Sequence, residues 1–197
     1  MSEQVLNSEK SDQPIILLGY MGCGKSTVGQ LLAKQLALPF VDMDDYLSEI
    51  HGRSVPNLFL EHGEIGFRKL EKRALDDLLV SAQASVISLG GGTPCYADNM
   101  LSVVQSTPHT FYFSPSISTL CRRLYSEKDH RPMISHLTSK DKLQEFIAKH
   151  IFERKQFYEQ ANHLLYIQDE TPQELVDQII KKPVSYTHLT LPTILLV

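Results

Sequence analysis

The chain has 197 residues, with 19 Lys or Arg, 23 Asp or Glu, a formal net charge of -4 and 42% hydrophobic residues. This composition predicts one folded domain and excludes disorder as the main state, together with collagen-like and disulfide-scaffold classes. The mildly acidic balance argues against a general nucleic-acid binder. No apolar run approaches the roughly 20 residues of a membrane span, and three widely spaced cysteines are typical of a reducing cytoplasm. We therefore expect a cytoplasmic protein without nucleic-acid or membrane partners.

The two ends of the chain differ from the rest. Residues 1–13 are polar, lack the apolar segment of a signal peptide and are predicted to be a disordered lead-in to a domain over 14–183. Residues 184–197 contain no Asp, Glu, Lys or Arg. Their start, VSYTHLTLPT, resembles a translated sequencing-library adapter, and we interpret this segment as a non-native tail. A strand or an interaction tail is the alternative.

From Pro14 onward, short apolar runs alternate with longer segments of helical spacing. In chain order, the predicted elements are a strand over 15–18, a helix over 28–36, a strand over 40–42, helices over 46–51 and 64–79, a strand over 85–89, a helix over 98–104, a strand over 110–113, a helix over 116–124, a mobile polar loop over 125–139, a helix over 140–160, a strand over 164–167 and a helix over 171–181. This alternation predicts an α/β fold with a parallel sheet between two layers of helices. Ligands bind such sheets at the carboxyl ends of the strands.

A glycine-rich segment follows the first predicted strand. Residues 19–27 read GYMGCGKST and fit G-x-x-x-x-G-K-[ST] between a strand and a helix, which predicts a phosphate-binding loop. Its glycines let backbone N–H groups face phosphate oxygens, and the helix N-terminus adds partial positive charge. Lys25 is expected to bridge the β- and γ-phosphates, and Ser26 to ligate Mg²⁺. Cys23 is either a small filler or an oxidation-sensitive position.

The loop alone leaves three classes open: a small-molecule kinase, a GTPase-type switch and a regulatory ATPase module. The N-K-x-D segment with which switch GTPases read their base is absent, and the strand over 85–89 runs into glycines where a Walker B strand ends in Asp. A candidate acceptor site favours the kinase.

That acceptor site begins where the second predicted strand ends. Asp42 and Asp44 are two residues apart, so on an extended segment they share a face, with Asp42 toward the metal and Asp44 toward a bound hydroxyl. A carboxylate beside an attacking hydroxyl can orient it and accept its proton. The alternative is that residues 42–45 only cap the next helix, with Asp45 as the capping residue.

Glycines and arginines supply the remaining candidates. Three consecutive glycines at 90–92 favour the close approach of a ligand to the main chain, with a tight turn as the alternative. Arg68 stands at the start of a predicted helix, Arg131 in the polar loop and Arg154 on a later helix, and each alone is typical of a solvated surface residue. Two arginines converging on one pocket would indicate a carboxylate-bearing substrate, because a guanidinium group matches a carboxylate bidentately.

Taken in order, these motifs resemble the shikimate kinase family over about residues 14–182. The matching segments are the phosphate loop, the D-x-D pair, G-E-x-G-F-R ending at Arg68, G-G-G at 90–92, R-P-M-I at Arg131 and E-R-x-x-x-Y at Arg154. The resemblance implies a three-layer P-loop NTPase-type fold with a five-stranded parallel sheet and a lid loop. It also implies phosphoryl transfer from ATP, with Mg²⁺, to the 3-hydroxyl of shikimate in aromatic amino acid biosynthesis, by a monomer.

On the nucleotide side, the resemblance implies that ATP is held by the loop residues Gly22, Cys23, Gly24, Lys25, Ser26 and Thr27. Asp42 would contact the metal through water, beside Ser26. Arg123 would stack on adenine. Arg131 would come from the lid over 125–139, close over ATP and stabilise the transferring phosphoryl group.

On the acceptor side, the resemblance implies that shikimate is held by Asp44, Arg68, Gly90, Gly91, Gly92 and Arg154. The arginines would bind the carboxylate of shikimate and Asp44 its hydroxyls. Lys25, Asp44 and Arg131 would be the catalytic residues. A related kinase acting on another polyol acid, such as gluconate, and a catalytically silent nucleotide-binding module remain the alternatives.

Overall fold

The structure is a computed structural model that describes residues 13–81, 84–128 and 131–182. Its strands are β1 (Ile15–Gly19), β2 (Phe40–Asp42), β3 (Val86–Ser88), β4 (Thr110–Pro115) and β5 (His163–Ile167). Its helices are α1 (Lys25–Leu36), α2 (Met43–His51), α3 (Val55–Ser81), α4 (Asn99–Ser106), α5 (Ile117–Glu127), α6 (Pro132–Ser135), α7 (Lys140–Tyr158) and α8 (Pro172–Ile180), with a 3-10 turn over Thr93–Cys95. The predictions for residues 1–12 and 184–197 lie outside the described residues. No helix in the described ranges is long and apolar enough to cross a membrane.

The five strands form one sheet in the order β2-β3-β1-β4-β5, and each neighbouring pair is parallel. The central strand β1 reads IILLG and is buried along its whole length. A continuous apolar run is what a parallel strand needs when helices cover both faces of the sheet. The predicted α/β architecture with a five-stranded parallel sheet is therefore confirmed.

Helices cover both faces of the sheet, because alternate side chains of β1 enter two separate cores. On one face, Leu17 packs in a core with Leu32 and Leu175 from α1 and α8. On the other face, Leu18 packs in a core with Leu47 and Leu75 from α2 and α3. The three predicted layers are thus present, and the carboxyl ends of the strands lie at one edge of the molecule.

The helix predicted over 64–79 is longer in the structure and broken at one residue. α3 spans Val55–Ser81, but Gly63 has φ 64° and ψ -179°, which is not helical. A positive φ is accessible to glycine at little cost, so the chain changes direction there and resumes as a helix at the predicted start. The prediction missed the first part of α3.

The predicted loop over 125–139 is wrong in part, because much of it is helical. α5 continues to Glu127, and α6 forms a further turn with a proline at its start, where that residue is favoured. Ile134 is completely buried, and Tyr125 and Leu137 pack against the same core. These three apolar side chains attach the segment to the domain, which its polar composition concealed. The mobility of this lid stays a prediction.

Candidate active site

The phosphate loop joins β1 to α1 and depends on glycine at several positions. Gly22 has φ 75°, and a Cβ atom there would lie 2.8 Å from the Leu124 side chain of α5. Gly24 has φ 104° and precedes α1 without a side-chain cap. The first N–H groups of α1 are therefore left to face an anion, with the partial positive charge of the helix N-terminus behind them.

Lys25, the first residue of α1, turns its side chain back onto the backbone of this loop. Its side chain is buried, and Nζ donates hydrogen bonds to the carbonyl oxygens of Gly19 at 3.0 Å and Tyr20 at 3.3 Å. Nζ also lies 3.7 Å from Cys23 Sγ. The ammonium group is thus positioned among loop atoms where the motif predicts phosphate oxygens.

Ser26 and Asp42 meet at the carboxyl end of β2. Ser26 Oγ donates to Asp42 Oδ2 at 2.7 Å, so a hydroxyl and a carboxylate present their oxygens together. Such oxygens are the ligands that Mg²⁺ prefers, and these two residues fit the predicted metal site. Asp42 Oδ1 in turn accepts a hydrogen bond from the backbone N–H of Asp44 at 3.1 Å.

This last contact corrects two expectations. Asp42, not Asp45, caps α2 with its side chain, and the helix begins at Met43. Asp44 therefore lies in the first helical turn and does not continue an extended strand. The two carboxylates still face one cleft, but the geometry that brings them there is a helix start, where the Asp42 side chain caps the first turn.

The Asp44 carboxylate lies against the three-glycine segment. A Cβ atom at Gly90 would be 3.3 Å from Asp44 Oδ1. Desolvation within the cleft, and then the negative charges of Asp42 and Glu71, raise the pKa of Asp44 to about 6, although Lys25 acts in the opposite direction. A carboxyl group with this pKa can accept a proton near neutral pH.

A cleft of about 420 Å³ opens between the phosphate loop, the end of β3 and the lid. We call it the phosphate cleft. The predicted residues that line it are Gly22, Cys23, Gly24, Lys25, Ser26, Thr27, Asp42, Asp44, Gly90, Gly91, Arg123 and Arg131. The structure therefore brings all the predicted nucleotide, metal and catalytic residues to one place.

A second cavity of about 290 Å³ holds the remaining predicted residues, and we call it the arginine cavity. Arg68, Gly92 and Arg154 line it, so two arginines far apart in sequence converge on one pocket. The other lining residues are Glu64, Ile65, Cys95 and Tyr96. Gly90 and Gly91 line the phosphate cleft and Gly92 lines the arginine cavity, so the three-glycine segment is the wall that the two share.

Arg68 is held by a buried carboxylate that sequence reasoning missed. Its Nη1 lies 2.7 Å from Oε2 of Glu71, which is only 2% exposed. The second oxygen of Glu71 accepts a hydrogen bond from Thr93 Oγ1 at 2.6 Å. Glu71 follows Arg68 by three residues on α3, and that i,i+3 spacing was the available signal.

The shared wall, residues 90–92, needs glycine because other protein groups lie too close to leave room for side chains. A Cβ atom at Gly91 would lie 3.3 Å from the backbone nitrogen of Met21, and one at Gly92 would lie 2.6 Å from Arg68 Nη2. Arg154 Nη1 and the Tyr158 hydroxyl both donate to the Gly91 carbonyl oxygen. The three glycines were expected to let a ligand approach their main chain. In the structure, the phosphate loop and Arg68 already lie that close to it.

Arg123 and Arg131 both line the phosphate cleft, and each is hydrogen-bonded to another part of the protein. Arg131 Nη2 donates a hydrogen bond to Glu127 Oε2 at 2.7 Å. Arg123 Nη1 donates to the carbonyl oxygens of Gly22 at 3.4 Å and Cys23 at 3.3 Å. Stacking of Arg123 on adenine and contact of Arg131 with a phosphoryl group stay predictions.

Comparisons with known proteins agree with this geometry. The family model described as shikimate kinase matches residues 21–183. The shikimate kinase of Flavobacterium johnsoniae is 42% identical over 168 residues, which cover 85% of this chain and 97% of that protein. A solved shikimate kinase from Bacteroides thetaiotaomicron is 33% identical with a TM-score of 0.73, covering 85% of this chain and 95% of that one. One from Acinetobacter baumannii in complex with shikimate is 27% identical with a TM-score of 0.75, covering 87% and 93%. The resemblance found in the motifs is confirmed: the chain belongs to the shikimate kinase family.

Proposed function

We propose that the chain transfers the γ-phosphoryl group of ATP to the 3-hydroxyl of shikimate, giving shikimate 3-phosphate and ADP. The observation that carries this proposal is the convergence of Arg68 and Arg154 on a cavity that shares a wall with the phosphate cleft. Two guanidinium groups suit a carboxylate, and the shared wall sets the acceptor beside the phosphate loop.

The nucleotide side follows from the residues of the phosphate cleft. The loop N–H groups bind the phosphates of ATP, and Lys25 exchanges its carbonyl partners for β- and γ-phosphate oxygens. Arg131 leaves Glu127 for the transferring phosphoryl group, and Arg123 lies beside adenine. The oxygens of Ser26 and Asp42 would hold Mg²⁺, which when bound neutralises charge on the β- and γ-phosphoryl groups.

The acceptor side follows from the arginine cavity and Asp44. Arg68 and Arg154 bind the carboxylate of shikimate, while Asp44 orients the 3-hydroxyl and accepts its proton during transfer. Glu71 keeps the guanidinium of Arg68 oriented through the contact at 2.7 Å. Closure of the lid over about 125–139 excludes water, which would otherwise consume the phosphoryl group.

The location and assembly of the enzyme complete the proposal. Cys23, Cys95 and Cys121 are free thiols, which supports a reducing compartment, the cytoplasm. We propose that the enzyme acts as a monomer, as the family resemblance implies.

An ADP-release assay across acceptors tests this function. With MgATP, we expect ADP release that depends on shikimate and none above background with gluconate or nucleoside monophosphates. Turnover with gluconate and not shikimate would assign a different polyol-acid kinase. ATP binding without turnover on any of these acceptors would indicate a silent nucleotide-binding module.

Replacing Arg154 with alanine tests the carboxylate site. We expect the KM for shikimate to rise about 10²-fold, because two charge-assisted hydrogen bonds are lost, while the KM for ATP changes by less than about twofold. Arg154→Lys keeps the charge but not the forked guanidinium group, so its KM for shikimate should lie between those of the wild type and Arg154→Ala. Lys155→Ala, at an exposed neighbouring position, serves as the control. Unchanged shikimate affinity in Arg154→Ala would contradict the assignment.

The raised pKa of Asp44 predicts an acid limb in the pH profile. Below about pH 6 the carboxyl group is protonated in the free enzyme and cannot accept the proton of the hydroxyl. We therefore expect kcat/KM for shikimate to fall toward tenfold per pH unit below that point and to level off above it. Asp45→Asn should keep the inflection near pH 6, whereas a profile that stays flat to pH 5 would contradict a pKa near 6 for Asp44 in the working enzyme.

A further inference from the structure

The two arginines of the arginine cavity are held in different ways. Arg68 is paired with the carboxylate of Glu71, but no salt bridge of the described residues includes Arg154. The Arg154 guanidinium lies instead over the ring of Tyr20, with Cζ 5.6 Å from its centroid. A cation–π contact fixes a guanidinium without neutralising it, so the full charge of Arg154 is available to a substrate carboxylate.

Tyr20 occupies a position that joins the two substrate sites. It follows Gly19 in the phosphate loop, is only 2% exposed, and its carbonyl oxygen accepts a hydrogen bond from Lys25. At the other end of its side chain, the hydroxyl oxygen lies 3.1 Å from Nδ1 of His150. The ring beneath Arg154 is thus attached to the phosphate loop through its backbone and contacts His150 through its hydroxyl.

His150 lies on α7, one helical turn before Arg154. Burial, followed by the positive charge of Arg154, lowers the pKa of His150, which keeps its ring neutral at neutral pH. Burial raises the pKa of Tyr20 to about 12, so its hydroxyl keeps its proton and can donate it to Nδ1 when the proton of the neutral imidazole is on Nε2. The His150 ring also packs on Phe146, with centroids 4.1 Å apart.

We propose that His150 is a positioning residue for substrate binding: it holds the Tyr20 hydroxyl, and Tyr20 in turn keeps the guanidinium of Arg154 aimed into the arginine cavity. The inference rests on the proposed function, because it takes Arg154 as a ligand of the shikimate carboxylate. Neither His150 nor Tyr20 touches the substrate in this scheme. Both act through Arg154.

The expected effect is confined to one substrate. Without the hydroxyl contact, the ring moves among more orientations, and Arg154 loses part of its preorganisation for the carboxylate. Loss of one hydrogen bond corresponds to an increase of about three- to tenfold in the KM for shikimate. The contact from Lys25 goes to the Tyr20 backbone, which these changes keep, so the KM for ATP should stay within about twofold.

The test compares Tyr20→Phe, His150→Phe and the double variant in the ADP-release assay. Tyr20→Phe keeps the ring under Arg154 and removes only the hydroxyl, whereas His150→Phe keeps a ring against Phe146 and removes only the acceptor. Because the two variants remove the same hydrogen bond, we expect each to raise the shikimate KM by the same factor and the double variant to raise it no further.

His150→Asn provides the rescue, because its amide oxygen can replace Nδ1 as the acceptor, and its shikimate KM should return to within about twofold of the wild-type value. Gln156→Ala, at an exposed position of α7, is the matched control. A shikimate KM unchanged in Tyr20→Phe, additive effects in the double variant, or an equal rise in the KM for ATP would overturn the inference. If His150→Phe fails to fold, Tyr20→Phe and His150→Asn still decide. A wild-type enzyme inactive with shikimate would overturn the proposed function itself.

Discussion

Replacing Lys25 with methionine is expected to lower kcat by about 10³-fold or more while the protein stays folded. Lys25 is the cation held inside the phosphate loop, and charge stabilisation at this point supplies much of the catalysis of phosphoryl transfer. Methionine has a similar length and is apolar, so it can occupy the buried position without the charge. Rates of ADP release at saturating shikimate and ATP measure the loss.

The controls for this variant separate chemistry from folding. Lys34→Met changes an exposed lysine in the last turn of the same helix and should retain the wild-type kcat. Thermal unfolding of Lys25→Met should show one cooperative transition. A Lys25→Met enzyme within tenfold of the wild-type kcat would mean that Lys25 does not carry the transition-state charge.

Replacing Asp44 with asparagine should lower kcat by about 10²- to 10³-fold, since the amide cannot accept the proton of the attacking hydroxyl. It should also raise the melting temperature. The folded pKa of about 6 lies above the ordinary aspartate value of 3.8, so ionised Asp44 opposes folding at neutral pH, and the neutral amide removes that opposition.

In Asp44→Asn, kcat is expected to fall while the melting temperature rises, so the two measurements together distinguish a catalytic role from a structural one. Asp45→Asn, one residue away on the exposed surface of α2, should leave kcat unchanged. An Asp44→Asn protein that loses both activity and stability would indicate a structural role. One that keeps its activity would show that the hydroxyl proton leaves without help from this carboxylate.

Two kinds of pattern allowed correct predictions from the sequence. The run at Ile15–Gly19 is apolar at every position but its last, and only a strand covered on both faces needs this. The phosphate loop combines glycines, Lys25 and Ser26 at fixed spacing, so its local structure follows from neighbouring residues. In both cases the signal lies within a short stretch of chain.

The features that were missed depend on residues far apart in the sequence. Part of the lid is helical, and its Ile134 is buried in a core built by other elements, which its own polar surroundings do not indicate. The contact between Tyr20 and His150 joins positions separated by 130 residues. The cap of α2 was assigned to Asp45 because the helix was expected to begin at residue 46, whereas α2 begins at Met43.

The wall shared by the two cavities has a consequence for how acceptor preference can be redesigned. Residues 90–92 have no free space for side chains, since Met21, Arg68 and Asp44 already lie against them, so a substitution there would disturb nucleotide and acceptor together. Glu64, Ile65 and Tyr96 also line the arginine cavity but not the phosphate cleft, and Ile65 is 72% exposed. Acceptor range is therefore adjustable at these three positions, independently of the nucleotide machinery.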